Sequence, residues 1–267
     1  VGVHGLPGHR QAMAVFNMAW NTNGFFWDGR APLLRDQSLM PIEDSLEMAE
    51  QLPQVIDKLQ GLSIYRDQFI RAFGSDEITA ELMGLAMEAF MQSIVSVNSR
   101  YDAYLRGEVT LNAQEDHGRQ LFFQEYNPFF PDQSGADCAH CHGNVNFEND
   151  LYMNNGLNDD NDNGDVGLFG VTGDPIDKGK MKVPSLRNIA VTPPYMHVGR
   201  FNSLREVVEH YNNGIKSSST LDPALAMTLP NGLLLSDQDI DDIVAFLETL
   251  TDQDLLTKAE YSDPFAE

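Results

Sequence analysis

Cysteine is nearly absent: there are two in 267 residues. So few thiols cannot build a disulfide framework, and the second Cys/His pair of a structural zinc site has no Cys to supply it. Basic residues are scarce too, 17 Lys and Arg against 40 Asp and Glu, for a formal charge of -23. That balance argues against nucleic acid, whose phosphates would repel the chain. It favours solubility, cations and basic partners, and it equally suits an acidic surface with no particular partner. No apolar run approaches the length of a membrane span. Val1-Gly2-Val3-His4-Gly5 contains neither an initiator Met nor a positively charged stretch, so no signal peptide is read there. The chain is expected to be mature, or a fragment. Its hydrophobic content of 42% is enough for a sizeable core, in one large domain or two small ones.

Both cysteines lie in Cys138-Ala139-His140-Cys141-His142. This is C-x-x-C-H, the attachment signature of a c-type haem. The two thiols would add across the haem vinyl groups, and His142 would reach the iron as proximal ligand. Such attachment is normally completed outside the cytoplasm, so a periplasmic location is expected. The sixth iron position has several candidates beyond the motif: Met153, Met181, Met196, His197, His210, Tyr211 and Met227. The residues alone do not choose among them. A Met ligand would raise the potential, and a Tyr phenolate would lower it.

Around the motif the pattern is helical. Residues 1–40 have little helical period after Trp20, and Asn21-Thr22-Asn23-Gly24 reads as a turn before the aromatic run from Phe25. Pro41 is expected to open a new segment, with helix from Ser45 on through Leu46, Ala49, Leu52, Ile56 and Leu59. A second helix runs from Ser63 to Phe73. A longer one, capped by Ser75 or Asp76, carries Ile78 through Val97. Residues 107–112 look like a boundary before a helix over 113–125. Residues 154–165 hold four Asp and five Asn, the composition of a floppy solvated loop. Asp159-x-Asn161-x-Asn163-Gly164 resembles the start of a calcium loop, but its twelfth position is Gly170 rather than the Glu such loops need. Pro184 to Pro194 is compact. Ser203 caps a helix with Leu204, Val207, Val208 and Tyr211 inside. A last helix starts at Ser236 with a Ser-x-x-Asp cap and buries Ile240, Ile243, Val244, Leu247 and Leu250. With no β alternation, the expected class is all-α: cytochrome c-like haem domains, helices joined by long loops.

Several motifs follow one another in an order that resembles a known family. They are Phe26-Trp27-Asp28-Gly29-Arg30, Leu46-Glu47-Met48, the haem motif, Val171-Thr172-Gly173-Asp174-Pro175, Pro184-Ser185-Leu186-Arg187-Asn188 and Pro194-Tyr195-Met196-His197. The chain is similar to bacterial dihaem cytochrome c peroxidases and the related MauG enzymes from about Arg10 to Leu250. The resemblance implies two haem domains, an N-terminal one where peroxide reacts and a C-terminal one that passes electrons to it. Only the second C-x-x-C-H is present, so one covalent haem c is expected here and the first upstream of Val1. On this basis 1–109 is the remainder of the peroxidatic domain, 110–250 the electron-transfer domain, and 251–267 a C-terminal tail.

The resemblance also implies roles. Glu47 matches the distal acid/base that assists peroxide cleavage, and Gln37 its neighbour. Trp27 matches an indole between the two haems. Without the resemblance, Glu47 would read as a solvated glutamate and Trp27 as core. Thr192 and Pro194 match carbonyl ligands of a calcium ion, with Gln11 where the family usually has Asn. His197 matches a histidine near the electron-transfer haem, and His4 matches a distal segment loosely. Peroxidases of the family place Met fourteen residues after that histidine, whereas MauG-type members place Tyr, and here the position is Tyr211. The implied function is reduction of hydrogen peroxide with electrons from a small donor protein such as a cytochrome. The alternatives are a MauG-like oxidase of a protein substrate and a non-enzymatic electron-transfer cytochrome. Family members are often homodimers.

Overall fold

The computed structural model describes residues 1–162 and 164–265. The chain divides into two compact units. The first comprises Val1–Arg10 and Val15–Ile94; the second comprises Gln11–Ala14 and the chain from Val95 on.

The first unit holds α1 (Leu34–Glu43), α2 (Leu52–Gln60), α3 (Ser63–Phe73) and α4 (Ala80–Ser93). Four boundaries differ from the sequence expectation, one of them the end of α4 at Ser93, short of Ile94 and Val97. Pro41 lies in the last turn of α1 instead of opening a new segment. Residues 45–48 are turn and 49–50 irregular, not helix, because the Asp44 carboxylate accepts from Leu46 N at 2.8 Å and closes an Asx turn there. The cap of α4 is Thr79, whose Oγ1 accepts from Leu82 N at 3.2 Å. Ser75 and Asp76 are held outside that helix, since Gln60 donates to Asp76 O at 2.9 Å and accepts from Ile78 N at 2.8 Å. Two small cores result, Phe25, Ala31, Leu34 and Met91 in one and Ile42, Phe69, Ile78 and Met83 in the other.

The second unit holds α5 (Arg100–Leu105), α6 (Ala113–Phe123), α7 (Ala139–His142), α8 (Phe169–Thr172), α9 (Leu204–Glu209), α10 (Pro223–Ala226), α11 (Asp237–Glu248) and α12 (Gln253–Thr257). One short antiparallel pair, β1 (Tyr152–Met153) with β2 (Met181–Lys182), is its sheet. Apart from this pair, the regular structure of the described residues is helical, joined by long loops as expected. Ser203 and Ser236 cap α9 and α11 as expected, each in a reciprocal capping box.

One continuous core fills this unit. Leu121 and Phe122 of α6 meet Ile243, Phe246 and Leu247 of α11. The helices approach this closely because position 118 is glycine: an added Cβ would sit 1.8 Å from the Asp242 carbonyl oxygen. Beside this core runs a buried ion pair. Arg187 donates to both Asp102 oxygens, at 2.8 and 2.9 Å, and to the Val145 carbonyl at 3.0 Å. Desolvating two charges is costly, and a bidentate geometry with further hydrogen bonds is what makes it tolerable. Among the described residues no helix is long and apolar enough to cross a membrane.

Candidate haem site

The haem motif forms the single turn of α7, ahead of which three backbone hydrogen bonds tie residues 135–137 to α6 and its end: Gly135 N to Glu125 O, Ala136 N to Leu121 O and Asp137 N to Gln124 O. The thiols of Cys138 and Cys141 are not joined in a disulfide. Burial pushes both up to about 12; Asp137 adds to the rise at each, and Asp222 at Cys141. They are therefore held as S–H at neutral pH.

His142 is prepared as a ligand by what it touches. Its Nδ1 lies 3.0 Å from the Phe147 carbonyl oxygen. Donating there leaves Nε2 with its lone pair, the tautomer a metal requires. Burial takes the imidazole down to about 4, against the opposing pull of the Phe147 and Pro184 backbones, so it is neutral when a metal would bind. Phe147 is itself locked, 3% exposed with a left-handed φ of 54° and with the rings of Tyr101, Phe122 and Phe246 against it. Arg187 grips Val145 two residues earlier, so the ion pair steadies the loop that aims His142.

Of the sixth-position candidates, Tyr211 and Met196 come together. Helix α9 continues into a π-helical turn, His210–Gly214, which carries Tyr211. Such turns rotate one side chain out of the α-helical register, frequently at functional sites. Burial pushes the Tyr211 phenol up to about 12; Asn155 opposes the rise, and Cys141 and Cys138 add to it. The phenol is thus within electrostatic reach of both thiols. Asn155 Nδ2 donates to Tyr211 Oη at 3.4 Å and to Met196 Sδ at 3.3 Å. Met227 is 58% exposed, and Met181 is buried where β2 pairs with β1. His210 is buried with Nε2 3.3 Å from the Asn155 carbonyl. Two thiols, a neutral imidazole and a phenol oxygen make a donor set that fits a covalently held haem.

His197 is buried, and its carbonyl accepts from Gln11 N at 2.7 Å. Residue 11 is thereby brought to the segment of Thr192 and Pro194, as a shared ion would need. The acidic loop, expected to be floppy, is pinned at several points: Arg200 donates to the Leu157 carbonyl at 2.6 Å and to Asn158 Oδ1 at 2.7 Å, and Asp160 accepts from Ser219 N and Oγ at 2.8 and 3.1 Å. Asp159 accepts from Asn161 N and Asp162 N within its own turn, and Asn163, part of the calcium-loop pattern, lies outside the described residues.

In the first unit Trp27 is half-buried in a hairpin joined by the Phe25–Ala31 bridge. Asp28 shapes that hairpin, accepting from Arg30 N at 3.2 Å and pairing with Arg10 at 2.5 Å. Gln37 is half-buried on α1, and Glu47 is exposed in the turn after it. Val3 N donates to the Glu47 carbonyl at 2.7 Å, and an added Cβ on Gly2 would lie 2.0 Å from the Leu46 carbonyl oxygen. The N-terminal residues thus anchor the backbone that carries Glu47.

Sequence reasoning missed Asn155, the Phe147 carbonyl and the Asp102–Arg187 pair. Arg187 stood inside a motif that was noticed, but nothing local pointed to its partner.

A family model described as di-haem cytochrome c peroxidase matches residues 1–110, and one described as cytochrome c matches residues 116–251. Methylamine utilization protein MauG of Methylorubrum extorquens is 34% identical over 252 residues, which cover 94% of this chain and 67% of that protein. Cytochrome c551 peroxidase of Pseudomonas aeruginosa is 32% identical over 260 residues, with 94% and 67% covered. The crystal structure of a MauG-like protein associated with microbial copper homeostasis is similar with a TM-score of 0.87 at 30% identity, covering 100% of this chain and 82% of that one.

Proposed function

The chain belongs to the family of dihaem cytochrome c peroxidases and MauG, and from that premise we propose that it reduces hydrogen peroxide with electrons passed through its own C-terminal haem. The observation that carries this is that Cys138, Cys141 and neutral His142 share one turn, with Cys138 and Tyr211 packed against the same core. A haem c bound there supplies one-electron redox chemistry at its iron.

The chain's own residues divide the remaining work. Cys138 and Cys141 would hold the group covalently, and His142 and Tyr211 would supply ligands to its iron. Glu47 moves a proton from one peroxide oxygen to the other, and its exposure leaves it open to a small polar substrate. Gln37 orients peroxide beside it. Trp27 would offer an oxidisable indole for electron transfer. Gln11, Thr192 and Pro194 hold a calcium ion. The location is periplasmic, as haem c attachment favours. The charge of -23 suits a basic small cytochrome as donor. A homodimer is consistent with the family.

A second reading is favoured by one observation. Tyr211, carried in its π-helical turn, matches the MauG-type position, so oxidation of a protein substrate is the alternative. The test uses the dihaem protein with hydrogen peroxide and a reduced small cytochrome. Rapid oxidation of the cytochrome is expected, and Glu47→Gln should lower it about 100-fold or more at unchanged haem content. Undiminished turnover in that variant would remove Glu47 from the proton path. Poor turnover of the unaltered protein with every small cytochrome tried would overturn the peroxidase reading in favour of the oxidase.

A further inference from the structure

Asn155 belongs to none of the motifs, yet its side chain meets two of the candidates for the sixth iron position. One amide nitrogen donates to Tyr211 Oη at 3.4 Å and to Met196 Sδ at 3.3 Å. The two atoms are therefore close neighbours, and only one of them can take the iron.

The amide is not free to swing. Asn155 Oδ1 accepts from Leu157 N at 3.3 Å, closing an Asx turn that leaves the nitrogen pointing away from the turn. The preceding Asn154 is fixed as well, its Nδ2 donating to Thr220 Oγ1 at 2.9 Å and Ser218 Oγ at 3.1 Å. The Asn155 main-chain carbonyl meets His210 Nε2 at 3.3 Å, which ties the turn to the residue before Tyr211. Met196 is equally constrained, with a left-handed φ of 69° next to the Tyr195–Phe201 bridge. The amide is thus held where both acceptors lie within its reach.

The same donor acts oppositely on its two acceptors. A ligating tyrosine oxygen carries negative charge, which an N–H aimed at it offsets. A thioether is a weak acceptor with no charge to stabilise. An N–H directed at its sulfur engages one of its two lone pairs, draws electron density from the donor and returns no charge compensation.

We propose that Asn155 is a positioning residue that selects Tyr211 over Met196 as the sixth ligand of the haem carried by Cys138, Cys141 and His142. The proposal rests on the reading of Tyr211 as a ligand, and the experiment separates the two. The ferric near-infrared spectrum and the reduction potential are measured on the haem-loaded protein and on Tyr211→Phe, Asn155→Leu and Asn155→Leu with Met196→Leu. Asn155→Leu should gain the charge-transfer band of a thioether-ligated ferric haem, with an upward shift in potential. Adding Met196→Leu should abolish that band. Asn155→Gln, which keeps an N–H donor, should stay nearer the unaltered protein. If Asn155→Leu does not take up haem, Asn155→Ser keeps the turn to Leu157 N but removes the amide, and the same shifts are read there. An unchanged spectrum and potential in the Asn155 variant, with Tyr211→Phe altered, would refute the role of Asn155 alone. No spectral change in Tyr211→Phe would remove the ligand itself, and the proposal with it.

Discussion

The two units begin their helices differently. In the first, α1, α2 and α3 follow Leu33, Gln51 and Leu62, none of which offers a side-chain cap. Only α4 is capped, by Thr79. In the second, Ser99, Asn112, Ser203 and Ser236 each form a reciprocal capping box. The cores follow the same division. Two small clusters hold the first unit, whereas one continuous cluster from Tyr101 to Leu250 holds the second. Local signals and long-range packing agree in the second unit, and that agreement makes a segment cooperative. The first should open at lower free energy, visible as faster amide hydrogen exchange in α2 and α3 than in α6 and α11.

The largest way to break the contrast is to remove a buried charge partner from the second unit. Arg187→Met should destabilise it by about 3–5 kcal/mol in urea, because Asp102 is left charged and buried. A pH series sharpens this. Burial raises the Asp102 carboxyl, but hydrogen bonds from Arg187 and Ser99 outweigh burial and hold it below the usual carboxylate range. A depressed carboxyl contributes stability above its unfolded value of about 3.9, lost as pH falls through the lower folded value. The unaltered second unit should lose stability below about pH 4, and Arg187→Met should flatten that slope. Equal acid slopes in both proteins would mean that the pair is not its source.

A smaller effect is expected at Gly118→Ala. The new methyl would meet the Asp242 carbonyl at 1.8 Å and force α6 away from α11, at about 1–3 kcal/mol. Melting temperature with and without haem would check it, and an unshifted value would show that the helices separate freely. The smallest effects concern the caps. Ser236→Ala should cost about 1 kcal/mol, and Gln51→Asp should add up to about 1 kcal/mol to the first unit. Hydrogen exchange resolves whether each change stays within its own unit. A cap change that moved both units equally would dissolve the comparison.

Much of the second unit was legible from the residues. Ser203 and Ser236 announced their helices, because a cap is a contact between residues three apart. The first unit was read less well for the same reason. Ser45 to Glu50 carries an apolar spacing compatible with helix, but the Asp44 side chain captures Leu46 N first. Ser75 and Asp76 are good cap residues by type, yet a glutamine 16 residues earlier holds Asp76 out of the helix. The order of motifs led to Tyr211, while nothing in the local pattern led to Asn155.

The residues by themselves determined the chemistry of attachment. C-x-x-C-H places two thiols and an imidazole on one short turn, and no distant contact is needed to do so. They also determined the helical class and the strongly acidic charge. Tertiary structure alone decided how that chemistry is aimed. The Phe147 carbonyl selects the tautomer of His142, Arg187 reaches Asp102 across 85 residues, and Asn155 reaches Tyr211 across 56. Such partners meet only when the core has closed, because a hydrogen bond between distant residues is favourable only once folding has already met the entropy of bringing them together.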